Sequence, residues 1–227
     1  MLTAFVYGVM VSLYFGLPGS GKTTYATAIA VKEQKRIEKG ISKYKHVYTN
    51  FPVFYKGILQ LQAEMLGKLG YEESLIIIDE ATLIADSRDY KKFSQEMKSF
   101  FLMHRHFQCD VVLFTQQWDA VDKKIRVITD HVYYVHKGAF RRWISYANII
   151  PYGIIIPDKK DNSEKYGEII QGYCRGTFFQ RMFAKRIKRR KYYKYFDTFI
   201  HEDLPAPPDI EWMSFVQTDS DQKKGED

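Results

Sequence analysis

Residues 16–24 read GLPGSGKTT, with Gly16 and Gly21 five positions apart and Lys22 and Thr23 directly behind them. That is the spacing of a phosphate loop. Its glycines let the backbone curl until several N–H groups point inward at a triphosphate. Lys22 adds charge at the β- and γ-phosphates, and the Thr23 hydroxyl is a ligand for Mg²⁺. The nucleotide-binding set read here is Gly16, Leu17, Pro18, Gly19, Ser20, Gly21, Lys22, Thr23 and Thr24. The loop follows the apolar run VSLYF and precedes a run rich in Ala, Lys and Glu, so a strand leads into it and a helix leaves it. A chance glycine turn would not need that setting.

A phosphate loop that hydrolyses needs acid at the tip of a neighbouring strand, and LIIIDE supplies it. Asp79 is placed to hold Mg²⁺ through water, and Glu80 to polarise a water for attack on the γ-phosphate. Many nucleotide kinases and small GTPases lack the second acid, so the Asp-Glu pair points to an additional-strand P-loop ATPase. The plainer alternative is that Glu80 caps the next helix. The apolar run DVVLFT ends at Gln116, which is the candidate sensor of the γ-phosphate; an ordinary polar strand end is the alternative.

These groups need a scaffold. Apolar runs at 11–15, 46–51, 74–79, 110–115 and 131–136 read as strands, and 23–37, 57–69 and 91–103 as helices. Buried strands alternating with helices predict an α/β fold, a mainly parallel sheet with helices on both faces. Beyond Lys137 the pattern changes. Residues 143–157 carry strand-like pieces broken by Pro151 and Gly153, within a span, 140–180, that reads as an antiparallel addition to the sheet edge. Residues 181–194 hold eight basic residues and no acid, and 205–227 read as a Pro-rich, then polar and disordered tail.

The formal charge of +7 and the pI near 9.1 permit nucleic acid or an anionic membrane as partner. Two cysteines, Cys109 and Cys174, make no disulfide framework. The apolar N-terminus is too short for a membrane helix and lacks the basic start of a signal peptide, with Met10 an alternative start. No other segment approaches a membrane span, and a cytosolic or peripheral location is expected. His104, His106 and Cys109 do not have the spacing of a closed zinc site and read as polar loop residues.

MVSLYFGLPGSGKTT, LIIIDEA and above all FFLMHRHFQCDVVLFTQQ resemble the Zot (zonula occludens toxin-like) family, the assembly ATPases of filamentous phages, related to FtsK- and HerA-type DNA-pumping motors. The resemblance runs from residue 10 to about residue 200. It implies ATP and Mg²⁺ as cofactors, and ATP-driven assembly and extrusion of the virion at the bacterial inner membrane, as a ring and possible hexamer acting on phage assembly or coat proteins. It gives Lys22 and Thr23 the phosphate-loop roles, Asp79 and Glu80 the metal and catalytic roles, and Gln116 the sensor role. Arg105 is the first candidate for an arginine finger, ahead of Arg88, Arg126, Arg141 and Arg142. Many members continue into a transmembrane helix and a periplasmic domain that these residues do not contain. A short form, a piece of a longer chain, or attachment through a partner would each account for that.

The basic residues 181–195 have interleaved aromatics, which suit single-stranded DNA. They also suit an anionic lipid surface, or a plain solvated helix face. Three rivals to phage assembly remain at this level: a DNA-translocating ATPase, a cytosolic phosphotransferase, and a nucleotide-binding scaffold without turnover.

Overall fold

The computed structural model describes residues 9–83, 95–137, 146–152, 154–155, 168–169 and 185–197. In chain order the elements are β1 (Val11–Phe15), α1 (Lys22–Glu38), β2 (His46–Thr49), β3 (Ile58–Gln60), β4 (Ser74–Ile78), α2 (Gln95–Met103), β5 (Asp110–Thr115), α3 (Lys123–Ile128), β6 (His131–Lys137), β7 (Tyr146–Tyr152), β8 (Ile154–Ile155), β9 (Glu168–Ile169) and β10 (Lys185–Lys188). Eight strands form one sheet in the order β10-β7-β6-β1-β5-β4-β2-β3, and β8 and β9 pair as a separate antiparallel ribbon.

Strand alternation explains how the sheet is covered. Val11, Leu13, Ile76, Ile78, Val111 and Leu113 point to one face, where α2 contributes Met97, Phe100 and Phe101 and α3 contributes Ile125. Tyr14, Leu75, Ile77, Val112 and Phe114 point to the other, where α1 packs through Tyr25, Ala26, Ala28 and Ala30. The small alanines bring α1 close to the sheet. Tyr14 sits between the rings of Phe114 and Tyr133, with centroids at 5.0 and 4.6 Å. Helices on both faces of a mainly parallel sheet are what the sequence predicts, and the antiparallel addition is present as β7 against β6.

Two expectations need correction, and one helix has no counterpart among them. Residues 57–69 do not form a helix: Ile58–Gln60 is a short parallel strand on β2, followed by a 3₁₀ turn at Ala63–Met65. The helical spacing misleads because an irregular chain also turns Leu61 and Leu66 into the core, while Gly57 and Gly67 take φ of 88° and 85°. The segment Lys123–Ile128 is a helix; its signal is Asp122, whose side chain caps it by accepting from Lys124 N at 2.7 Å. Finally, Lys185–Lys188 is an antiparallel edge strand on β7, not a helix face. A short edge at β3 and a lysine- and arginine-rich edge at β10 both discourage strand addition. The expected helix start at 91–94, the tail 205–227 and most of 140–180 lie outside the described residues, as do Arg88, Arg141, Arg142 and Cys174.

The HRH segment is not uniformly a polar loop. His104 is buried, its Nδ1 2.7 Å from Phe101 O at the end of α2, whereas His106 is exposed. Cys109 is fully buried and its thiol bonds the Tyr71 carbonyl. Burial pushes the Cys109 thiol up to about 11, so it stays protonated at neutral pH and unreactive. In a Cys174→Ser variant, a disulfide-exchange reagent at pH 8 should find no fast thiol in the native protein and one equivalent after denaturation. Fast native labelling would place the thiol at the surface instead.

Candidate functional site: a phosphate loop facing two acids and a glutamine

β1, β5 and β4 are parallel neighbours, in registers Phe15↔Thr115 and Ile78↔Leu113. The residues that follow each strand therefore emerge along one edge, the carboxyl ends where open α/β sheets bind ligands. Gly16 leaves β1, Gln116 leaves β5, and Asp79 and Glu80 leave β4. An extra strand, β5, thus lies between the phosphate-loop strand and the acid strand, as the Asp-Glu pair predicts.

The loop is built by its glycines. A β-carbon on Gly16 would run into the carbonyl oxygen of Val135 on β6, so only glycine lets β1 leave the sheet there. Gly21 caps α1 in the left-handed region, φ 103°. Lys22 is buried, and its Nζ donates to the carbonyls of Gly16 at 2.9 Å and Leu17 at 3.3 Å. Burial lowers the Lys22 ammonium from its ordinary value, and the charges of Glu80 and Asp79 resist the fall. Those two carboxylates are therefore close enough to act on the loop.

Thr23 and Asp79 meet directly: Thr23 Oγ1 donates to Asp79 Oδ2 at 2.6 Å. Asp79 is buried, and burial raises its pKa; Glu80 adds to the rise, while the Thr23 hydroxyl, the Glu80 N–H and Lys22 oppose it. A hydroxyl and a buried carboxylate side by side are hard oxygen donors that fit Mg²⁺, whose charge would offset the cost of ionising Asp79. Backbone N–H groups at the start of α1, with Lys22 beside them, fit a triphosphate.

Glu80 has φ 49°, an uncommon conformation for a residue with a side chain. The Glu80 N–H donates to Asp79 Oδ1 at 3.1 Å, and Gln116 Nε2 donates to Glu80 Oε1 at 3.3 Å. The strained tip of β4 thus turns Glu80 toward Gln116.

Arg105 is elsewhere. Its guanidinium bridges Asp130 at 3.2 Å, and the other oxygen of Asp130 accepts from Val11 N, at the start of β1. The five-residue β1 separates it from the phosphate loop, roughly 16 Å of strand. Arg105 cannot serve the site of its own chain. Arg126 stacks over Trp118, 5.9 Å to the ring centroid, on the helix that follows β5.

Asn50, one residue past β2, is a site residue the motifs do not mark. Its side-chain amide grips the backbone of Asp79 twice: Nδ2 donates to Asp79 O at 2.8 Å, and Oδ1 accepts from Asp79 N at 2.7 Å. The only hint in sequence is a polar residue where a buried strand ends. Asn50→Ala should leave both groups without these partners, costing about 1–3 kcal/mol. Calorimetry should then read a melting temperature several degrees lower, at about 2–4 °C per kcal/mol for a chain of this size. An unchanged melting temperature would mean the clamp is dispensable.

The model of the zonular occludens toxin (Zot) family matches residues 10–146, more than half of the chain. Among solved structures, the N-terminal domain of zonular occludens toxin from Neisseria meningitidis is similar at 18% identity and a TM-score of 0.55, covering 84% of this chain and 100% of that one. The genome packaging NTPase B204 from Sulfolobus turreted icosahedral virus 2, in complex with AMPPCP, is similar at 16% identity and a TM-score of 0.42, over 56% of this chain and 74% of that one. A KaiC-like protein from Pyrococcus horikoshii OT3 is similar at 12% identity and a TM-score of 0.43, over 65% and 86%. No curated protein matches the sequence. With its phosphate loop, its extra central strand and the family match in agreement, this chain belongs to the zonular occludens toxin (Zot) family and has a P-loop NTPase fold.

Proposed function

We propose that this chain is a Mg²⁺-dependent ATPase that drives assembly and extrusion of filamentous phage virions at the bacterial inner membrane. The observation that carries the hydrolytic part is the meeting of four side chains at one sheet edge. Thr23 lies 2.6 Å from Asp79, and Gln116 lies 3.3 Å from Glu80. Thr23 and Asp79 would hold the cation that neutralises phosphate charge, and Lys22 would bind the phosphates from the loop. Glu80 orients a water and takes its proton; Gln116 steadies that carboxylate. A phosphotransferase to an organic acceptor has no need of the Glu80–Gln116 pair, which favours water as the acceptor.

Membership of the Zot family supports the phage-assembly part. Arg105, its side chain 65% exposed at the far end of the strands, suits supply to a neighbouring subunit in a ring. The basic edge supports an anionic partner. Burial lowers the Lys32 ammonium, and the crowding charges of Lys185 and Lys191 lower it further. Among the described residues no helix is long and apolar enough to cross a membrane; the basic face suits contact with anionic lipid. The same face favours a second reading, a DNA-translocating ATPase that grips single-stranded DNA.

Phosphate-release assays and nucleotide titrations on three proteins test the reading. The parent should turn over ATP only with Mg²⁺. Lys22→Ala should lose nucleotide binding, and Glu80→Gln should keep it while turnover falls about 100-fold or more. Equal turnover by Glu80→Gln and the parent would remove Glu80 from its role. Stimulation by anionic vesicles supports assembly at the membrane, and salt-sensitive stimulation by single-stranded DNA supports translocation.

A further inference from the structure

β10 is not a free basic arm. It pairs with β7 from Lys185↔Ile149 to Lys188↔Tyr146 and buries Ile187, and the chain then tightens into a 3₁₀ turn at Arg189–Lys191. Its far end is fastened too. Tyr192 is 4% exposed among the residues that pack on α1, and Phe54 N donates to Tyr195 O at 2.7 Å. The segment is a strap with both ends held.

That strap brings Arg189 against the phosphate loop. A β-carbon on Gly21 would lie 2.9 Å from Arg189 Nε and 3.2 Å from Arg189 Cδ. Gly21 is therefore doubly constrained, by its left-handed backbone and by the arginine stem that occupies the space beside it. The guanidinium carbon lies 6.0 Å from the Tyr193 ring centroid, which helps hold the side chain. The sheet order gives the direction. Asp79, Glu80 and Gln116 lie on the β5–β4 side of the loop, whereas Arg189 arrives from the β7–β10 side. A triphosphate with its γ end toward Glu80 would extend its α-phosphate and nucleoside toward Arg189.

We propose that Arg189 is a nucleotide-binding residue of this chain's own site, its guanidinium engaging the α/β-phosphate end of the ligand from the side opposite the hydrolytic acids. A guanidinium suits this role: its charge does not titrate, and its planar fork matches two phosphate oxygens. The proposal rests on the triphosphate reading of the loop and adds to it a contact common to ATP and ADP.

The test titrates fluorescent ATP and ADP analogues, with Mg²⁺, into the full chain, its Arg189→Ala variant and its Arg189→Lys variant. Loss of a charged hydrogen bond should weaken both nucleotides about ten-fold or more, and by similar factors, in Arg189→Ala. Arg189→Lys, which keeps the charge and loses the fork, should fall between. Added guanidinium ion at millimolar concentration should restore part of the Arg189→Ala affinity, a rescue that a purely packing role would not allow. If Arg189→Ala melts early without nucleotide, Arg189→Lys decides: weakened binding supports the proposal and parental binding overturns it. Parental affinity in Arg189→Ala, or loss confined to ATP, overturns it as well. A parent that binds neither nucleotide, while Lys22→Ala behaves identically, overturns the triphosphate reading itself.

Discussion

The hydrogen bond from Thr23 Oγ1 to Asp79 Oδ2 joins two parts of the chain 56 residues apart, and the organisation of the site depends on it. It requires the first turn of α1 to sit over the tip of β4, although β5 intervenes between their strands. Parallel pairing of β1 with β5 and of β5 with β4 makes this possible, because it aligns the three carboxyl ends on one edge. A register slip of one residue in either pair would turn every apolar side chain of that strand to the wrong face, so burial of the core also specifies the site.

The environment around that contact is costly in isolation. Asp79 is a buried carboxylate whose ionisation burial opposes, Glu80 adopts a positive φ, and a second carboxylate lies beside the first. Asn50 offsets part of this by satisfying both backbone groups of Asp79, and the charge of Lys22 opposes the rise at Asp79. Such concentrations of unfavourable local choices persist where a ligand is expected to relieve them.

The two sides of the sheet are chemically different. On the β5–β4 side the loop faces acids and a glutamine, which suits metal and water. On the β7–β10 side it meets Arg189, carried by a basic edge strand, which suits anions. Closing the sheet with a basic antiparallel edge protects it from further strands and brings positive charge to the phosphate loop with the same residues.

The amino-acid sequence by itself determined what is local. GLPGSGKTT, LIIIDE and DVVLFTQ are patterns of contiguous residues, so the loop, the acid pair at the tip of β4 and the parallel α/β architecture were legible in them. Only the tertiary structure decided what depends on partners far along the chain. Asn50 matters because β2 lies beside β4, Ile58–Gln60 became a strand because β2 offered it an edge, and Lys185–Lys188 because β7 did. Arg105 was drawn toward the site by its motif, yet it lies at the opposite end of the strands, and Arg189 was one cation among eight until the edge pairing set it against Gly21. Side-chain chemistry and helix or strand periodicity act over a few residues, whereas sheet order is chosen by burial summed over the whole chain; no local pattern encodes it.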